Sequence, residues 1–400
     1  MKRKISALLI LMLSPAIFAA TFFSGEAGIL SNFINTKAKS FDPSLTFDAF
    51  FSGRFTLSES LSVRSEFSMQ TDDTYSSGLL SETDSIFRID ELSATYIKSF
   101  GGFSHDLNFF MGFFESVGTQ QFIRRRLGVE NYSSPLLENY LGLNGASVYS
   151  LYGYGGGYTI TFNDKPVSTG LFISKNSENS EDVPQLNFDL RLAAAYRYLT
   201  LDLLAGLGAP LYTKDENNND VVLLIDTLYF HTGIDVLLGN KYSPASLYAQ
   251  CGFEYLPVKS SSKAKDFDMA DVYLLVEPRF AAKQTKLYIT VYSIPEDKIK
   301  KMPFFNDTLG LNLNIFSDSF HAKNYDFSAG VNWMVSFEEK NISDIADTKL
   351  FDAMNITVAP FLKLKILDGE MTMLFQAIPT KIAENEGNAL KLHIGYKKEL

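Results

Sequence analysis

The chain has 400 residues, a formal net charge of −10, 46% hydrophobic and 14% aromatic residues, and one cysteine. The acidic balance, with positive Lys2, Arg3 and Lys4 all at the extreme N-terminus, argues against a nucleic-acid partner. The single Cys251 excludes an internal disulfide framework and a thiolate metal cluster.

After Lys2, Arg3 and Lys4 comes an apolar run over 5–13, then Pro15 and the small Ala19 and Ala20. This predicts a secretory signal peptide over 1–19, cut after Ala19. The run is too short to cross a bilayer, and no cysteine near the cut marks a lipoprotein. Beyond it no uncharged apolar run approaches the roughly 18 residues of a membrane helix. Membrane residence would have to come from strands.

Period-two alternation predicts strands near 22–33, 45–57, 61–71, 85–98, 103–115, 145–163, 167–175, 186–198, 201–209, 220–237, 245–256, 270–281, 286–294, 307–316, 325–337, 354–366, 370–377 and 389–398. The stretch from Leu186 is the clearest. Leu186, Phe188, Leu190, Leu192, Ala194 and Tyr196 share one parity, with Asn187, Asp189, Arg191 and Arg197 on the other. Helical spacing would carry Arg191 and Arg197 onto the leucine face. The parity slips once, near Asp90 and Glu91, where a bulge is the simplest account.

Tight links at 58–60, 101–102, 164–166, 199–200, 282–284 and 367–369 alternate with long polar ones, including 70–84, 116–144, 175–185, 212–220, 259–269, 295–306, 338–353 and 380–388. Links at 239–245 and 317–324 are longer than ideal. Short on one side and long on the other is the pattern of a membrane barrel with periplasmic turns and extracellular loops. A secreted sandwich or propeller would alternate as well, but without this density of apolar residues opposite Gly, Asn and charge. The expected fold is all-β: a transmembrane antiparallel up-and-down β-barrel of about 18 strands, with 16 as the alternative, forming one domain over 20–400. A signal peptide, amphipathic strands over nearly the whole mature chain and a long third outer loop make the chain resemble bacterial outer-membrane porins. It departs from them at its end, Tyr396-Lys397-Lys398-Glu399-Leu400, where such barrels usually finish on an aromatic residue.

The resemblance implies that loop 116–144 folds inward as a constriction. It carries Arg124, Arg125 and Arg126, with Glu115, Glu130 and Glu138 around them. Lying outside, the triplet would be a solvated charge cluster; lying inside, it would meet solute in a poorly screened space. Gly153, Gly155 and Gly157 fall on the inward parity of the next strand and leave room against the wall or mark a bend. Inward parity gathers Arg54, Arg64, Arg88, Lys363, Lys365 and Lys391 on strands that adjoin when the barrel closes. Asp235, Glu254, Asp271 and Glu277 lie across from them, diluted by Arg279 and Lys286, and Arg191 and Arg197 complete the candidate pore lining.

His105, His231, His321 and His393 are scattered, and no nucleophile elbow or zinc-binding helix motif is present. The run Asp215-Glu216-Asn217-Asn218-Asn219-Asp220 lacks EF-hand spacing. No catalytic residue, metal or cofactor is expected. The expected function is passive diffusion of small hydrophilic solutes through the bacterial outer membrane, with an anion bias. The alternative is a surface barrel acting as an adhesin or receptor without an open pore. Expected partners are outer-membrane lipid, the solutes and, by resemblance, the barrel assembly machinery, and a homotrimer is compatible with that resemblance.

Overall fold

A computed structural model describes residues 22–36, 43–77, 85–137, 147–176, 184–214, 220–225, 227–259, 266–299, 302, 305–322, 325–337, 354–384 and 386–400. The expected signal peptide, residues 138–144 with Glu138, and most of the acidic run at 215–220 lie outside these.

The strands are β1 (Phe22–Asn35), β2 (Pro43–Thr56), β3 (Leu61–Thr71), β4 (Ser85–Phe100), β5 (Phe103–Phe113), β6 (Tyr152–Phe162), β7 (Val167–Asn176), β8 (Gln185–Tyr196), β9 (Leu199–Pro210), β10 (Tyr212–Lys214), β11 (Asp220–Leu224), β12 (Leu228–Leu238), β13 (Ala245–Lys259), β14 (Tyr273–Ala282), β15 (Thr285–Ser293), β16 (Leu309–Ala322), β17 (Tyr325–Phe337), β18 (Met354–Ile366), β19 (Gly369–Ala377) and β20 (Leu390–Glu399). All but β10 and β11 form one 18-stranded antiparallel sheet. The sheet closes where β20 pairs with β1, Leu30 opposite Gly395. Closure removes both edges, so the backbone of every barrel strand has a partner on each side.

Alternation decides the two faces. On β8, Asn187, Asp189 and Arg191 are buried inside while Phe188 and Leu190 stand 51% and 55% exposed outside. Trp333, Phe109, Leu171 and Phe375 also face outward. A lysine or arginine in their place at the middle of a bilayer would cost about 2–4 kcal/mol. The bulge near Asp90 is present. Glu66 pairs with Glu91 and Phe67 with Ile89, leaving Asp90 as the extra residue.

Three details differ from expectation. The strand expected over 220–237 is two pieces: β11 pairs with β10 as a separate hairpin, and β12 alone joins the barrel. Period two reports an extended chain and says nothing of its partner. The link expected to be long at 317–324 is short, because β16 and β17 pair beyond a bulge between Ser317 and Phe320 as far as Ala322 and Tyr325. Asp271 lies in a single 3-10 turn (Met269–Asp271) before β14 rather than on a strand. The turn at Leu367 and Asp368 has φ of 52° and 58°, which suits the right-handed twist of a two-residue hairpin.

Candidate functional site: the lumen

The connection from Phe114 to Leu151, here loop 3, enters the barrel. Val117 and Tyr149 bridge its two limbs, with Val117 N–H donating to the Tyr149 carbonyl at 2.9 Å and Val148 N–H to the Val117 carbonyl at 2.8 Å. The limbs lie on Gly233 of β12 and Gly252 of β13. A Cβ on Gly233 would sit 3.0 Å from Tyr149 Cβ, and one on Gly252 would overlap Val148 Cγ1. Tyr149 stacks on His231 at 4.4 Å between ring centres and its hydroxyl accepts from Asn187 at 3.1 Å. His231 is itself paired with Asp189 at 2.5 Å.

Deeper in, helix α1 (Gln121–Leu127) buries Phe122 and Ile123 against the wall and ends at Gly128, whose φ of 65° forms the left-handed cap. Successive residues on a helix diverge by about 100°, so the arginine triplet divides. Arg125 meets Glu91 at 3.1 Å, Glu115 at 3.4 Å and Glu66 at 3.8 Å. Arg126 meets Asp106 at 3.1 Å and Glu115 at 3.4 Å. Arg124, on the same helix, is exposed. Burial alone would raise the Glu115 carboxyl, but the Arg126, Arg125 and Arg191 guanidiniums outweigh it and hold it below its ordinary value. For Arg125 burial works toward deprotonation, and Glu91, Glu115 and Glu66 overcome it to hold the charge more firmly than usual.

Arg191 is fully buried. It forms a two-point contact with Asp202 at 2.6 and 2.8 Å, donates to the Glu115 carbonyl, and lies 4.3 Å from the centre of the Phe122 ring. Asp235 is fully buried and accepts from Gln120 at 3.3 Å. Glu277 is fully buried and takes bonds from Ser134 at 2.5 Å, Thr290 at 2.6 Å and Arg279 at 2.8 Å. The structure therefore sets Arg125, Arg126, Arg191, Asp235 and Glu277 beneath or within loop 3, as anchors that hold it. Loop 3 continues to the short-turn mouth, where Glu130 pairs with Lys241 and accepts from the Tyr242 hydroxyl at 3.1 Å. Arg197 is an exposed turn residue lying over Tyr198.

A second inward segment, described over 294–299, 302 and 305–308, was expected only as a long polar link. Its Ile294, Ile299, Met302 and Phe305 are buried, and Asp307 accepts from Ser336 and, at 3.1 Å, from Asn355. Lys298 of this segment pairs with Glu254 at 2.6 Å, and Lys391 donates to Asn306 at 2.6 Å. Four apolar residues within a polar link were the available signal. The inward Gly233 and Gly252 were another.

The remaining candidates line one arc, β18-β19-β20-β1-β2-β3-β4. Arg54 and Arg64 are register partners, Lys363 and Lys365 follow on β18, and Arg88 lies 3.8 Å from Asp90. Arg54, Arg88 and Lys365 are exposed. Lys397 joins them beside Glu370 at 3.9 Å, and Glu26 is on the same arc. Gly153, Gly155 and Gly157 lie on β6, two strands beyond the edge of this arc. A Cβ on Gly157 would overlap Phe172, and one on Gly155 would sit 2.8 Å from Phe110. The space goes to those rings, which pack with Phe114 of loop 3.

No protein-family model matches the chain, and no curated protein does. Among solved structures, OccAB3 of Acinetobacter baumannii aligns at 9% identity and a TM-score of 0.50, covering 94% of this chain and 99% of that one. The outer membrane protein OpdK of Pseudomonas aeruginosa aligns at 9% and 0.49, covering 95% and 98%. OmpF of Salmonella typhi aligns at 8% and 0.42, covering 96% and 99%. The closed antiparallel topology of the 18-stranded sheet, together with the OccAB3 alignment, gives this protein the porin-like β-barrel fold.

Proposed function

We propose that the protein is an outer-membrane channel for passive diffusion of small hydrophilic solutes, biased toward anions. The observation that carries this reading is the division of charge inside the barrel. Loop 3 pairs or covers Glu66, Glu91, Asp106, Glu115, Asp235 and Glu277, whereas Arg54, Arg88, Arg124 and Lys365 are exposed. Charge along the narrow path governs selectivity more than net charge does, so an acidic chain can favour anions. The short turns then face the periplasm and the long connections the cell surface. Reversal potentials of single barrels in a planar bilayer under a salt gradient test this.

A second reading, a barrel without an open pore whose outer connections form a receptor or adhesin surface, draws on another observation. Leu30, Phe50, Leu374 and His393 lie on the cationic arc and face inward, yet each is buried. Stable single-channel steps would exclude that reading.

A further inference from the structure

The wall formed by β15, β16, β17 and β18 meets the cationic arc at β18, but midway along the strands its character changes. Lys286 shares a row with Phe316, and Asp318, Lys363 and Lys365 lie toward the short turns; the other inward positions at mid-wall carry uncharged amides and aromatic rings. Strand register lines up Tyr288, Asn314 and Asn332 in one row around the wall. The next row toward the short turns holds Phe316, Gly330 and Phe361. Glycine at 330 is required there, because a Cβ would overlap Phe316 Cβ and come within 2.7 Å of Phe361 Cζ. Its absence lets the two rings approach to 6.3 Å across β17, and Tyr288 meets Phe316 edge-on at 5.0 Å. Tyr288 and Phe316 are only partly buried, so they present aromatic surface inside the lumen.

The amides beside these rings are under-used. Asn312, Asn314 and Asn332 are each at most 2% exposed. One bond joins them, Asn312 Nδ2 donating to Asn332 Oδ1 at 3.3 Å. Asn312 Oδ1, Asn332 Nδ2 and both polar atoms of the Asn314 side chain have no hydrogen-bond partner from the protein. Flipping both bonded amides leaves the same balance, one donor group and one acceptor, so the result does not depend on how they are assigned. Each buried polar atom left unpaired costs on the order of 1–3 kcal/mol. Leucine or valine would fill this wall at lower cost if filling were its purpose.

Interleaved neutral donors and acceptors match hydroxyl groups, each of which both donates and accepts. Aromatic faces beside them offer apolar surface to the C–H groups of the same molecule, the usual mixture in a small-molecule site. A carboxylate or phosphate would instead seek guanidinium or ammonium groups. The cations beside the rings are both paired: Arg279, 4.8 Å from the centre of the Tyr288 ring, with Glu277, and Lys286, 5.7 Å from that of Phe316, with Asp318. We propose that Asn312, Asn314 and Asn332, with Tyr288 and Phe316, form a binding subsite for an uncharged polyhydroxylated solute of mono- to trisaccharide size. This deepens the channel reading by naming a class of solute, and it rests on that reading only in taking the lumen as a solute path.

The test is isothermal titration of the purified full-length barrel in detergent with glucose, maltose and maltotriose, with citrate as the anionic comparison. Saturable binding of at least one sugar is expected, weakened tenfold or more in Asn314→Leu, in Asn332→Leu and in Phe316→Ala, with any citrate binding unchanged. Asn314→Leu removes two unpaired polar atoms, and Asn332→Leu removes one at the loss of the single bond from Asn312, so both should remain folded, which retention of the fast-migrating unheated gel band verifies. No saturable heat with any of the three sugars overturns the proposal, as does sugar affinity that is unchanged in both leucine variants. Calorimetry needs no open pore. Sugar binding without bilayer conductance removes the channel and keeps the subsite, and conductance without sugar binding does the reverse.

Discussion

Gly233 and Gly252 are register partners on adjacent strands, and together they form the notch that seats loop 3. Valine at 233 or leucine at 252 would push Val117, Val148 and Tyr149 off the wall. Overpacking of this kind costs about 1–3 kcal/mol. Either substitution should lower the thermal unfolding temperature and make loop 3 susceptible to added protease.

The arginine triplet should divide under mutation as it divides in space. Arg125→Gln leaves Glu91 and Glu66 without their main counter-charge inside the barrel, and breaking a buried pair costs about 3–5 kcal/mol. Arg124→Gln touches no ion pair among the described residues and should be near neutral in stability. Denaturant or heat unfolding of the two purified variants separates them, and equal losses would contradict the placement of the helix.

The grip of Glu115 on loop 3 should survive into acid. The Glu115 carboxyl is held below its ordinary value by Arg126, Arg125 and Arg191 against the opposing effect of burial. A depressed folded-state value contributes stability that is fully present above the unfolded value, about 4.3, and is lost as pH falls through the lower folded value. The Glu115 contribution, read as the difference in loop 3 protease susceptibility between wild type and Glu115→Gln, should therefore persist down through the usual carboxylate range and vanish only below it. A difference that vanishes at or above about pH 4.3 would contradict the assignment.

Leu367 and Asp368 adopt positive φ, which costs a residue with a Cβ roughly 1–2 kcal/mol relative to glycine. Replacing the pair by Asn-Gly should raise the unfolding temperature without altering conductance. Differential scanning calorimetry checks this, and a lower unfolding temperature would contradict the turn geometry.

The barrel was legible because lipid on one side and water or protein on the other impose a strict period of two. Phe188 against Asp189 carries that signal in adjacent letters. The strand count survived the error at 220–237, since the β10–β11 hairpin lies outside the ladder. Partners inside the lumen were not legible. Arg191 pairs with Asp202 within the β8–β9 hairpin, but its bond to the Glu115 carbonyl and that of Glu277 with Ser134 reach into loop 3, relations that depend on three-dimensional closure. Sequence parity could say that Asp235 and Glu277 point inward, but not that a loop covers them. Segment 294–308 was missed for the same reason, its apolar residues being too few and irregularly spaced to make a periodic signal.

An anion-biased path lined by the exposed Arg54, Arg88 and Lys365 of the arc and by Arg124 of loop 3 is the heart of the channel reading. The most direct measurement is the reversal potential of single wild-type and Arg124→Gln barrels in a planar bilayer across a tenfold potassium chloride gradient. The account predicts discrete conductance steps, anion preference in the wild type and a shift toward cations in the variant. It also predicts that the difference shrinks as the Debye length falls from about 10 Å at 0.1 M to about 3 Å at 1 M. Absence of stable steps, or cation preference in the wild type, would contradict it.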